Sequence, residues 1–157
     1  MVDSNSMQDC LNAAYHYLSY RPRSEGEIRQ CLRRRGFASE VAEKAIIKLR
    51  EQNLTDDFAF AQFWKENRLS FKPKSKRLIK KELKDKKIAA EIIEQVTEDI
   101  DDEAIAYKLG ASRMSTLANL DYPDFHRRLS SYLAYRGFGY EVIKHTAALI
   151  WRENEQS

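Results

Sequence analysis

Apolar residues recur along this chain at intervals of three and four, the spacing that gathers them on one face of a helix. Leu11, Ala14, Tyr15 and Leu18 form the first set, Ile28, Cys31 and Leu32 the second, and Ala42, Ala45, Ile46 and Leu49 the third. Pro22 closes the first helix, and Ser24 with Glu27 has the capping-box spacing that opens the next. Gly36 ends that helix as a left-handed cap residue. The cycle then returns. Thr55, Asp56 and Asp57 supply oxygens and negative charge where a helix start favours both, ahead of Phe60, Phe63 and Trp64. A lysine-rich fifth helix follows around Ile79 and Leu83, then a sixth through Ile92, Ile93, Val96 and Ile100. Asp101 to Glu103 open a seventh through Ala104, Tyr107 and Ala111. An eighth carries Phe125, Leu129 and Leu133, and a ninth Val142, Ile143, Ala147 and Ile150. Nine helices are therefore predicted, and Met1 to Ser6, ahead of the pattern, are expected to be disordered.

The helices fall into a repeat. Leu32, Leu83 and Leu133 coincide in register, as do Phe37, Ile88 and Phe138, and Val41, Ile92 and Val142; the offsets are 51 and then 50 residues each time. Pro22, Pro73 and Pro123 keep the same two offsets. Four registers sharing two offsets predict a triplicated three-helix unit, with repeats at 7–54, 55–100 and 101–157. Units that contact only their neighbours build an elongated, curved array whose long surface suits a large or filamentous partner. The expected fold is all-α, an elongated, curved array of three tandem three-helix repeats. Arg35, Gly36 and Phe37 recur as Arg136, Gly137 and Phe138, a helix end, its cap and the apolar residue that folds back. The middle copy has Lys86, Lys87 and Ile88 there, and a non-glycine in a left-handed backbone costs about 1 kcal/mol.

Five Gly and three Pro in 157 residues leave few helix breakers. Net charge is only +3, which alone would not argue for nucleic acid. Its distribution is what matters. Between Phe71 and Ile88, Lys72, Lys74, Lys76, Arg77, Lys80, Lys81, Lys84, Lys86 and Lys87 face only Glu82 and Asp85. Ile79 and Leu83 give this helix one narrow apolar stripe, and Lys76, Lys80 and Lys84 form a cationic row four residues apart. Like charges at that spacing weaken a helix by a few tenths of a kcal/mol per pair, so a purpose other than helix stability is implied. Directly afterwards, Glu91, Glu94, Glu98, Asp99, Asp101, Asp102 and Glu103 run without an intervening base.

Cys10 and Cys31 have no CxxC partner and read as buried, reduced thiols, and His16, His126 and His145 lack any metal-ligand spacing. No phosphate loop, serine elbow or metal-ligand set points to an enzyme, and no cofactor is expected. No apolar run reaches membrane-span length, and the start of the chain lacks the pattern of a signal peptide. A cytoplasmic protein is expected.

Several separated motifs resemble the RecX family, the small cytoplasmic bacterial proteins that modulate the RecA recombinase. They are SEGEIRQCLRRRGF from Ser24, LTDDFAFAQFW from Leu54, LIKKEL from Leu78 with the turn at Ile88, and LAYRGFGYEVI from Leu133. The likeness runs from about Asn12 to Trp151. Two departures are visible: Ser75 and Lys76 replace the family's usual Gly-Pro, and Lys87 replaces its common glycine. The resemblance implies a crescent of three-helix repeats lodged in the groove of the RecA filament, restraining ATP hydrolysis, strand exchange and filament growth in DNA repair and the SOS response. It places the RecA or DNA contact on Lys72, Lys74, Lys76, Arg77, Lys80, Lys81 and Lys84, with Arg33, Arg34, Arg127 and Arg128 as outer candidates. A monomer is expected, with weak, non-specific affinity for single- or double-stranded DNA. Asp56, Asp57, Leu83, Gly137 and Phe138 read as caps and core. The alternative is a helical repeat protein whose principal activity is sequence-independent DNA binding, since lysine suits phosphate contact better than base recognition.

Overall fold

A computed structural model describes residues 4–156, all of whose regular structure is helical. In chain order the helices are α1 (Ser4–Leu18), α2 (Glu25–Arg34), α3 (Ser39–Glu51), α4 (Asp57–Phe71), α5 (Lys76–Asp85), α6 (Ala90–Thr97), α7 (Asp102–Ser112), α8 (Met114–Leu117), α9 (Tyr122–Tyr135) and α10 (Tyr140–Glu155). Nine correspond to the sequence-predicted helices. The tenth, α8, is a single turn that buries Leu117, too short to show any apolar period. α1 also begins earlier than expected. Met7 packs against the core, so the turn leading into it, from Ser4, is helical. The remainder of the expected disordered tail, Met1 to Asp3, lies outside the described residues.

The chain folds as two compact units. Unit 1 holds the chain up to Trp64 together with Glu82–Val96, and unit 2 holds Lys65–Lys81 together with the chain from Thr97 onward. In unit 1, α1, α2 and α3 pack on one another around Cys10, Leu11, Ala14, Ile28, Leu32, Ala45, Ile46 and Leu49. Cys10 is fully buried and Cys31 only partly so; both are free thiols. In unit 2, α7, α9 and α10 enclose Leu109, Phe125, Leu129, Leu133, Phe138, Ala147 and Ile150, with α8 against α7.

Three helix ends share one geometry. At the ends of α2, α5 and α9 the N–H groups of Phe37, Ile88 and Phe138 donate to the carbonyls of Leu32, Leu83 and Leu133, each at 3.1 Å. The N–H groups of Gly36, Lys87 and Gly137 donate to Arg33, Lys84 and Ala134, completing the Schellman pattern. Gly36 and Gly137 have φ of 92° and 95°, and Lys87 keeps the same left-handed backbone at 65°. The middle helix therefore ends as its sisters do and carries the strain of a side chain. Pro123 departs from its expected equivalence to Pro22 and Pro73. Those two precede the caps Ser24 and Ser75, whereas Pro123 sits inside the first turn of α9 behind the cap Asp121. α9 has 14 residues against 10 in α2 and α5, about one extra turn at its start, where proline costs no hydrogen bond.

Candidate partner-binding surface

The lysine helix is set by its caps. Ser75, fully buried, accepts from the N–H of Leu78 at 3.2 Å, so serine does at this helix start what a cap requires. A second cap arrives from elsewhere in unit 2: Asp102 Oδ1 accepts from the N–H of Lys76 at 2.8 Å. Unit 1 repeats the device, with Asp57 Oδ1 accepting from the N–H of Glu25 at 2.9 Å. In both acidic pairs the first residue caps its own helix, Asp56 towards Ala59 and Asp101 towards Ala104. The second caps the helix-2 start of the preceding repeat. Capping thus accounts for all four carboxylates, as the sequence implied, but half of it reaches between repeats.

Ile79 and Leu83 are fully buried, the narrow stripe the spacing predicted. Around them Lys72, Arg77, Lys81 and Lys84 are exposed, and Lys74, Lys76 and Lys80 are half-buried. Within unit 2, Arg77 Nη2 donates to the Gly137 carbonyl at 3.3 Å, and Arg136 Nη1 donates to the Pro73 carbonyl at 3.0 Å. These bonds join the start of the basic stretch to the turn after α9. Arg127 and Arg128 are exposed on α9, where Arg127 pairs with Asp124 one turn away at 3.1 Å. Within unit 1, Arg33 and Arg34 are exposed at the end of α2.

The acidic run is mostly absorbed by the fold. Asp101 and Asp102 are caps, and Asp99 pairs with the buried Lys65 at 3.1 Å, which holds the Asp99 carboxyl below its usual range. Glu103 meets His145 Nδ1 at 2.9 Å. Of the two segregated charge runs, the basic one is therefore the candidate surface for a partner.

Three groups were not legible as candidates. Lys86 lies 3.5 Å from Glu27 and 5.0 Å from the centre of the Trp64 ring, a cation held by unit 1. Arg29 and Lys87, with Gly26, Gln30 and Arg33, line an open concavity of about 370 Å³ in unit 1. Lys87 at a position where the sister turns have glycine was the available signal. Among the described residues no group of His, Cys, Asp and Glu is arranged to hold a metal ion, and no helix is long and apolar enough to cross a membrane.

Helices in a threefold cycle, with each later repeat capping a helix of the one before it and a cationic helix in the middle copy, define a tandem three-helix repeat protein with a strongly charged surface. Family models for the first, second and third three-helix domains of RecX match residues 10–49, 56–96 and 101–146. The chain belongs to the RecX family of regulatory proteins. It is 33% identical to regulatory protein RecX of Amycolatopsis mediterranei, over 83% of this chain and 78% of that one. It is 32% identical to regulatory protein RecX of Prosthecochloris aestuarii, over 93% and 95%. In fold it is similar to the crystal structure of RecX from Lactobacillus salivarius, with TM-score 0.80 and 22% identity over 99% of this chain and all of that one.

Proposed function

We propose that this protein is a non-catalytic regulator that docks in the groove of the RecA nucleoprotein filament and inhibits ATP hydrolysis, strand exchange and filament growth during DNA repair. It acts in the cytoplasm as a monomer. Family membership supports the regulatory role, and the observation that carries the choice of surface is the cationic helix α5 with its flanking Lys72 and Lys74. Its seven basic residues surround a two-residue apolar stripe, far more charge than burying Ile79 and Leu83 requires. A filament of protein and DNA presents the extended negative surface such a helix suits, and charge of this kind speeds encounter more than it tightens the final complex.

The test is the triple replacement of Lys76, Lys80 and Lys84 by Ala, measured as inhibition of the DNA-dependent ATPase of RecA. Three rim charges at up to about 1 kcal/mol each give an expected loss of potency of about tenfold or more. Unchanged potency, with circular dichroism showing a folded variant, removes α5 from the mechanism. DNA binding as the principal activity is the weaker reading, because the chain's net charge is small and its exposed bases on α5 are mostly lysines suited to phosphate alone.

A further inference from the structure

The concavity in unit 1 lies between the outer face of α2 and the turn that ends α5. Three of its five lining residues, Arg29, Arg33 and Lys87, are cations, Gln30 offers an amide, and no acid lines it. Glu43 grips the Arg29 guanidinium through Nε and Nη2, which fixes its plane and leaves Nη1 uncommitted. The side chains of Arg33, Lys87 and Gln30 make no hydrogen bond or ion pair among the described residues.

Lys87 occupies a position that glycine fills in both sister turns, and it holds the same left-handed backbone. The facing helix has given way to it: a Cβ added to Gly26 would lie 2.2 Å from the Lys87 Cβ. In unit 2 the roles are exchanged. There the turn carries Gly137, and the residue equivalent to Gly26, Arg77, reaches across to the Gly137 carbonyl. Each unit thus has a cation at the position where the other has a glycine, on opposite sides of the junction. In unit 1 the cost is an unfavourable backbone and a glycine in the first turn of α2, for an ammonium that bonds nothing in the fold.

We propose that this notch binds a phosphate of a nucleic-acid backbone, with Arg33 and Lys87 supplying charge and Gln30 and Arg29 Nη1 supplying further hydrogen bonds. Donors converging from a helix face and a turn surround a tetrahedral oxyanion, whereas a carboxylate is satisfied by one planar guanidinium fork. The open side of the concavity lets a polymer pass through. The notch adds a nucleic-acid contact to the filament reading, and rests on it only in that DNA is part of such a filament; its test uses no recombinase, so either can fail alone.

The experiment is fluorescence anisotropy of a labelled oligothymidylate with the full chain across a salt series. Lys87→Gly and Arg33→Gln are each expected to weaken binding about three- to tenfold and to lower the salt slope by about 0.7, one single-strand phosphate contact. Lys87→Arg retains both. Because glycine relieves the left-handed turn, the melting temperature of Lys87→Gly holds or rises, which separates lost binding from lost folding. Equal affinity and slope for wild type, Lys87→Gly and Arg33→Gln overturn the site, as does no measurable binding by wild type at low salt. Competition by inorganic phosphate as strong as by the same concentration of DNA phosphate overturns the backbone assignment in favour of a free anion. A polyglutamate probe that binds as tightly and responds to the same variants overturns it in favour of a protein partner. Loss of RecA inhibition in the α5 triple variant with oligonucleotide binding intact leaves the notch standing and places the two contacts on separate surfaces.

Discussion

Two glycines that read identically in sequence differ in what surrounds them. Gly36 and Gly137 each sit between arginine and phenylalanine at positive φ, yet a Cβ on Gly36 meets nothing within 4 Å. On Gly137 it would lie 2.4 Å from Leu78 Cγ and 2.5 Å from Ser75 Oγ. Gly36→Ala is expected to cost about 1 kcal/mol, the left-handed penalty alone. Gly137→Ala adds overpacking against a buried cap and should cost about 2–4 kcal/mol in all. Denaturant melts of the two variants check the difference, and equal losses would show that the unit 2 junction yields. The repeated Arg-Gly-Phe turn itself was legible, because a helix end needs glycine there for a local reason. The contact that distinguishes its two copies was not, because Leu78 and Ser75 lie about sixty residues away in the chain and no local pattern pairs them with Gly137.

Helix starts carry the next scale of specificity. At the opening of α2, Glu27 is buried among Arg21 at 2.5 Å, the Ser24 N–H at 3.1 Å and Lys86 at 3.5 Å. Burial pushes its carboxyl up, but those three partners outweigh it and hold the pKa below the ordinary 4.5. The Arg50 hydrogen bond does the same for Glu25. Asp57, the cap supplied by the next repeat, is pushed up from 3.8 by burial. A lowered carboxylate contributes stability that is complete above its ordinary pKa and is lost as pH falls through its folded value. Asp57 has the opposite sign: its contribution is complete below 3.8 and is lost as pH rises through its raised value. Glu25, Glu27, Glu43 and Asp99 lowered against Asp57 raised predict that the fold loses stability on acidification below about pH 4.5. Glu27→Gln should flatten that acid limb in a series of thermal melts. It should also cost about 1–3 kcal/mol at neutral pH, since Arg21 loses a charged partner while the capping box survives. A limb as steep as wild type would assign the acid sensitivity elsewhere. Asp57→Ala and Asp102→Ala each remove a cap and should each cost about 1 kcal/mol. The capping box was visible from spacing alone. That the second acid of each pair serves another repeat's helix was not, because an acid at a helix start always has a local role that explains it.

At the scale of the whole chain, 27 basic and 24 acidic residues nearly cancel, so long-range attraction comes from where they lie. Periodicity and offset arithmetic revealed the threefold cycle and the basic helix because both are written in local order. They missed the notch at Lys87 because it forms only when a turn meets a helix about sixty residues before it. Of the seven acids that follow α5, four are committed within the fold: Asp101 to Ala104, Asp102 to the Lys76 N–H, Asp99 to Lys65 and Glu103 to His145. Exposed charge on a partner-facing helix is screened over about 8–10 Å at physiological salt, whereas buried apolar contact is not. Inhibition of the RecA ATPase is therefore expected to weaken as salt rises from about 50 to 200 mM, mainly through slower association. The Lys76, Lys80 and Lys84 triple variant should start weaker and respond less to the same change. Stopped-flow association at the two salt concentrations reads both effects directly. Equal salt dependence in wild type and triple variant would mean that the charges steering this protein to its partner are not those of α5.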